Sequence, residues 1–182
     1  MSDDVGRDPA LARRTAPDAV RLKRLLDAPI ETVWRFLTDA ELRGRWFMAG
    51  PLDPRPGGNM VFRIDHGSIS PEPGQAPDWY AQWDKTEHVH KVLAIDPPRL
   101  LRFTWEEGSE VSWMLEPAGE GRTLFTILHE KLPNRDEMIG VSGGWHTHSA
   151  VLAEVVAGRV PANFWKLHAR VEGVYEEAFE KE

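Results

Sequence analysis

The sequence predicts an α+β fold, on three observations. Residues 59–65 and 88–130 alternate apolar and polar side chains between Gly- and Pro-containing turn signals, the period of half-buried antiparallel strands. Residues 30–37 and the stretch from 134 onward instead place apolar residues at helical spacing. No internal repeat is present, so strands in one block with helices at both ends imply segregated layers around a single core, which 182 residues with 41% hydrophobic content are enough to build.

Residues 1–18 mix Asp, Arg, Ala and Pro without a hydrophobic period and are expected to form a flexible tail, with one domain running from 19 to 182. Val20 and Leu22 open a first strand reaching residue 26, although RLKRLL is compatible with helix on propensity alone. Ile30, Val33, Trp34 and Leu37 then share one helical face, with Pro29 in the first turn and Glu31 near the positive end of the dipole. Thr38 and Glu41 have capping-box spacing, so a second short helix starts there and ends at Gly44, just before Trp46 and Phe47.

Met60, Phe62 and Ile64 form the buried row of the next strand, after a Gly-Gly turn. Residues 66–77 are too rich in Pro and Gly for a tight hairpin and read as an extended loop capped by Trp79, Tyr80 and Trp83. Asp-Pro-Pro, Glu-Gly-Ser and Ala-Gly-Glu-Gly then punctuate a four-strand meander. Its inward rows are Leu101, Phe103 and Trp105, then Val111, Trp113 and Leu115, then Phe125, Ile127 and His129. Asn134 and Glu137 have N-cap and N3 spacing for a long helix with Trp145, Leu152 and Val156 on one face, stopping at Gly158. A final helix carries Phe164, Leu167, Val171, Val174, Tyr175 and Ala178 on one side and acidic residues on the other.

Composition excludes several function classes. A net charge of -7 argues against a nucleic-acid or anionic-membrane partner, because counterion release needs clustered Lys and Arg. The absence of cysteine rules out disulfides, thiolate metal sites and cysteine nucleophiles. No run approaches the ~18 apolar residues of a membrane span, and the N-terminus lacks the apolar stretch of a secretory signal, so a cytoplasmic location is expected.

The stretches APIETVWRFLTDAELRGRWF, PGGNMVFRI, IDPPRLLRFTW, GRTLFTILHE and GGW, in that order, resemble the family of activators of the heat-shock-protein-90 ATPase, a branch of the START/Bet v 1-like (SRPBCC) superfamily. The resemblance covers roughly residues 20–158. It implies a helix-grip fold, a curved antiparallel sheet wrapped around a long C-terminal helix with two short helices after the first strand. The extra C-terminal helix is expected to pack outside the grip. The loop 66–79 is longer than the family's usual hairpin, and Lys91 stands where a glycine is expected.

The resemblance also implies that a small hydrophobic molecule, lipid-like or aromatic, binds between sheet and long helix. On that reading Trp34 and its helix close one end of the sheet and Trp46 and Phe47 sit near an opening. The sheet side supplies Phe62, Trp83, Phe103, Trp105, Trp113 and Phe125, Trp145 comes from the long helix, and His129 is the pocket's polar group. The competing reading is a tryptophan-rich core packed on itself. His88 and His90 share a strand face that can hold a metal, but no third ligand is near in sequence, and solvated histidines are the expectation. His146 and His148 point about 200° apart on a helix and cannot chelate together. No nucleophile, phosphate-loop or dinucleotide motif occurs, so no cofactor or metal is expected. A cyclase- or hydrolase-type enzyme on the same pocket stays open, with Arg63, Arg102, His129 and Glu130 as first suspects. So does a co-chaperone-like partner domain, made doubtful by the short tail where the named activators carry an N-terminal domain. The last helix could also pair two chains as a homodimer, with packing on its own domain the expected use.

Overall fold

The alternation in the middle of the chain is realised as one antiparallel sheet of seven strands in the computed structural model, which describes residues 11–72 and 74–180. β1 (Arg13–Ala16) and β2 (Ala19–Leu26) form a hairpin, followed by the short helices α1 (Ile30–Thr38) and α2 (Ala40–Gly44). β3 (Asn59–Arg63), β4 (Glu87–Asp96), β5 (Leu100–Thr104), β6 (Glu110–Pro117) and β7 (Thr123–Glu130) build a meander, and α3 (Arg135–Val156) and α4 (Phe164–Glu180) complete the chain. The spatial order is β1-β2-β7-β6-β5-β4-β3. The two short helices therefore carry the chain to the far edge, and the meander returns until β7 pairs with β2. The curved sheet grips α3 across its inner face, which is the helix-grip fold.

The inward rows match the alternation. Met60, Phe62, Leu101, Phe103, Val111, Trp113, Leu115, Phe125 and Ile127 are all at most 1% exposed. Each such burial contributes about 1.5–3 kcal/mol against the entropy of ordering the chain. Asn134 caps α3 as its spacing predicts, its side chain accepting from the Glu137 N–H.

Several expectations are corrected. Arg13–Ala16 is a strand, not part of a flexible tail: it pairs with β2 through its backbone, and the Ala12 N–H donates to the Tyr175 hydroxyl at 2.8 Å. Its arginines suit a charged sheet edge, a role without hydrophobic period and therefore invisible to a pattern search. The rest of the expected tail, residues 1–10, lies outside the described residues. The cap of α2 is Asp39, whose carboxylate accepts from the N–H groups of Glu41 and Leu42, while the Thr38 hydroxyl turns back to the Trp34 carbonyl. On α1 it is Phe36 that is buried with Ile30, Val33 and Leu37, and Trp34 is only half-buried. The GGW stretch lies inside α3 and does not open it. The long loop contains two 3-10 turns, His66–Ser68 and Asp78–Gln82.

α4 packs against α3 and not against the strands, outside the grip as the resemblance implies, but it does more than cover an outer surface. Phe164, Trp165 and His168 face inward toward α3 and the long loop. The Phe164 N–H donates to Ser70 Oγ at 3.3 Å, tying the start of α4 to that loop.

Candidate functional site

The inner face of the sheet has two ends with different fates. At one end the rings fill the space themselves. Trp113 lies 4.9 Å from Phe103 and 5.4 Å from Trp46 between ring centroids, and Trp46 lies 6.2 Å from Phe125. The Trp46 indole N–H donates to the Phe36 carbonyl, satisfying the polar atom of this buried side chain. A buried cation holds the chain that positions Trp46 and Phe47: the Arg43 guanidinium donates to the carbonyls of Leu37, Thr38, Met48, Gly50 and Val61. Burial lowers its pKa to about 10 against the pull of Asp39, so it is charged at neutral pH.

At the other end the rings leave a gap. A cavity of about 380 Å³ lies under the long loop, bounded by β3, β4, the turn after β5 and the inner faces of α3 and α4. Phe47, Phe62, Trp105 and Trp145 form its floor, and Tyr80, Phe164 and Trp165 form its opposite wall. On α3, Gly140 and Gly144 face this space: a Cβ added at either meets nothing within 4 Å, so the missing side chains are part of the room. Trp79 and Trp83 stand at the mouth, 47% and 38% exposed.

The polar element of the wall is a hydrogen-bonded chain. His148 Nδ1 lies 2.7 Å from the Trp46 carbonyl, which can only accept, so Nδ1 carries the proton. His148 Nε2 then accepts from His66 Nε2 at 2.9 Å, and His66 Nδ1 accepts from the Tyr80 hydroxyl at 2.6 Å. The His66 backbone N–H donates to the same hydroxyl oxygen. Every group in the chain is neutral. Burial, helped by His168, pushes His66 down to about 3; burial, then His66, drives His148 well below the ordinary range; burial and Asp84 raise Tyr80.

A second polar group sits at the sheet side. His88 Nδ1 lies 3.0 Å and His90 Nε2 3.6 Å from the same Glu106 oxygen, and His90 stacks on Trp105 at 5.4 Å and 9°. His90 is therefore not solvated as expected: it is 6% exposed, and burial lowers its pKa against the pull of Glu106. Among the described residues no group of three or more His, Cys, Asp or Glu is arranged to hold a metal ion.

Of the residues read from the sequence as pocket lining, Phe47, Phe62, Trp83, Trp105 and Trp145 border the cavity. Phe103, Trp113 and Phe125 belong to the packed end, as does Trp46, which is fully buried and not at an opening as expected, and Trp34 lies against the core from α1. His129 lies behind the floor. The Trp145 indole N–H donates to its Nδ1 at 3.1 Å, its Nε2–H donates to Ser109 Oγ at 3.0 Å, and Ser109 donates to the Glu106 carbonyl. Burial pushes His129 down to about 3, and it serves as a neutral brace for Trp145. The other residues considered for chemistry are also away from the cavity: Arg63 pairs with Glu87, and Arg102 pairs with Glu110 and Glu130 on the outer face.

The residues missed are those of the loop and α4. The sequence does carry a signal for them: Phe164, Trp165, His168 and Glu172 recur at i, i+1, i+4 and i+8, and Trp79 and Tyr80 sit together in a loop otherwise poor in large side chains.

A seven-stranded sheet gripping a helix over a partly open aromatic interior defines the class of helix-grip cavity proteins. The chain belongs to the family described as activator of Hsp90 ATPase homolog 1-like proteins, whose pattern matches residues 27–157. Among solved structures, a Bordetella parapertussis protein determined by NMR shares 39% identity over 90% of this chain and 87% of its own, with a TM-score of 0.76. CalU16 from Micromonospora echinospora, 24% identical over 93% of this chain and 96% of its own, has a TM-score of 0.66. A conserved protein of unknown function from Enterococcus faecalis, 17% identical over 93% and 90%, shares the fold at 0.63. No curated protein matches the sequence. The family match stops before α4, so the wall that α4 contributes lies beyond the part common to the family.

Proposed function

We propose that this protein binds a small, largely apolar molecule in the cavity under the long loop. The observation that carries the reading is the gap itself: the same sheet that packs Trp46, Phe103, Trp113 and Phe125 against one another leaves about 380 Å³ between further rings. Close packing is the rule for protein interiors, and an aromatic-lined space of this size at the edge of a core is the usual form of a ligand site. It is about two and a half times the ~150 Å³ cavity that accepts benzene, which suits a guest of two or three fused rings.

The test uses a variant that fills the space. Gly144 lies in the interior of α3, so Gly144→Leu gains about 0.5–1 kcal/mol of helix propensity while its side chain enters the cavity. Wild type is expected to bind the neutral dye Nile red with quenching of tryptophan emission, and Gly144→Leu is expected to stay folded and lose that binding. Native mass spectrometry of gently purified protein reads retained cellular molecules directly. If wild type retains nothing and neither binds nor is quenched by the dye, the binding reading falls.

A catalytic reading has one observation in its favour, the Tyr80–His66–His148 chain on the cavity wall. Ester and thioester screening of wild type against His66→Ala tests it, and equal rates remove this chain from any chemistry.

A further inference from the structure

We propose that the preferred guest of this cavity is an organic cation, an apolar ring system bearing a quaternary ammonium group held at the mouth; this rests on the ligand-binding reading above. The first observation is the sign of the charge around the cavity. Glu106, Glu137 and Glu172 border it, and among the described residues no lysine or arginine does. The histidines of the inner wall cannot supply a positive counterweight, since His66 and His148 are neutral and His168 is lowered by burial. An anionic guest meets three carboxylates and no partner. A neutral apolar guest needs no charge at all, so the acidic border discriminates in favour of a cation alone.

The second observation is the rings. The negative face of an aromatic ring attracts a cation, tryptophan most strongly, and the effect grows as water is excluded. Trp79, Trp83, Trp105 and Trp165 all border this space, and the exposed rings of Trp79 and Trp83 stand at its entrance. Trp83 lies beside His88, which is bonded to Glu106, and Trp79 beside His168 and Trp165 on the α4 side that carries Glu172. Each half of the mouth therefore pairs a tryptophan with a carboxylate. The fold already places one cation on a ring from behind: the Arg43 guanidinium lies 5.8 Å from the centroid of Phe62 on the floor, which leaves the mouth tryptophans as the seat for the guest's charge.

The third observation selects the kind of cation. The inner acceptors are bonded to one another along the Tyr80–His66–His148 chain, so a primary ammonium can satisfy its three N–H groups only at the rim carboxylates and in water, and seating it against the tryptophan faces strips away that shell. A quaternary ammonium has no N–H to satisfy and spreads its charge over methyl groups that pack on rings.

Calorimetric titration of the intact protein with three naphthalene probes of one shape tests this. The probes are 2-naphthylmethyl-trimethylammonium, its neutral neopentyl isostere, in which carbon replaces nitrogen, and 2-naphthylmethanesulfonate. The cation is expected to bind about tenfold or more tighter than the neutral isostere, with the sulfonate weakest. The triple variant Glu106→Gln, Glu137→Gln, Glu172→Gln, changed only at side chains on the cavity border, is expected to lose at least threefold of the cation's affinity and leave the isostere unchanged. Equal or tighter binding of the isostere, or of the sulfonate, overturns the cation proposal while the cavity reading stands. Absence of binding by both the cation and the isostere overturns the two together.

Discussion

Arg43 shows how one side chain organises the packed end of the core. Its five carbonyl acceptors come from the end of α1, from the segment after α2 and from β3, so the guanidinium ties the end of α1 to the segment that bridges β3 through its backbone. Gly50 is part of the same arrangement: its φ of +132° suits glycine, and a Cβ there would lie 2.3 Å from the Val61 carbonyl oxygen. Removing the guanidinium orphans several buried carbonyls at once, each costing about 1–3 kcal/mol. Arg43→Leu is therefore expected to lower stability by more than about 3 kcal/mol, read as a fall in the urea midpoint with little change in slope. Arg43→Lys is expected to recover only part of that loss, because an ammonium is a point donor and does not span the fork. A change under about 1 kcal/mol in Arg43→Leu contradicts this role.

At the scale of elements, α4 and the long loop form one unit. Trp165 lies between Tyr80 at 4.7 Å, Trp79 at 6.2 Å and His66 at 5.6 Å between ring centroids, and this cluster roofs the cavity. Trp165→Ala is expected to raise hydrogen exchange about tenfold or more at the loop amides of His66 and Trp83, which are held to Tyr80, while amides of β6 and β7 keep their protection. Phe179→Ala, at the far end of α4, is expected to leave the loop unchanged; unaltered exchange in Trp165→Ala separates the two elements. The sheet was legible because alternation and turn residues are local, and α3 because Asn134 and Glu137 announce its start. The site was half legible. Phe62 and Trp105 are inward by alternation, but so are Phe103 and Trp113, and alternation gives the face of a strand without saying what stands opposite it. That depends on α4, whose Trp165 lies off the stripe drawn through Phe164, Leu167, Val171, Val174, Tyr175 and Ala178, and on a loop whose path no period describes. β1 escaped for a related reason, since its pairing is made by backbone alone.

Taken as a whole molecule, the protein carries an acid-sensitive interior. Burial holds His66 and His129 near 3 and His148 well below the ordinary 6.5, and all three are neutral in the fold because each completes a hydrogen-bond chain in one tautomer. Unfolding releases them to water, where they take up protons near 6.5. Above that pH neither state is protonated and no difference arises. Below it the unfolded state binds more protons, so stability is lost as the pH falls from 6.5 toward about 3. Each group contributes a slope approaching about 1.4 kcal/mol per pH unit, and the three together remove about 4 kcal/mol by pH 5.5, a large share of the ~5–15 kcal/mol typical of a domain. Urea unfolding followed by tryptophan emission is expected to show this fall between pH 7 and 5.5. His129→Gln tests its origin: an amide can still accept from Trp145 and donate to Ser109 but does not titrate, so the slope is expected to shrink by about a fifth to a third, since burial lowers His90 and His168 as well. A midpoint that stays level from pH 7 to 5.5 would mean that the buried histidines open to solvent without unfolding, and that the neutral chains do not hold the two ends of the core in place.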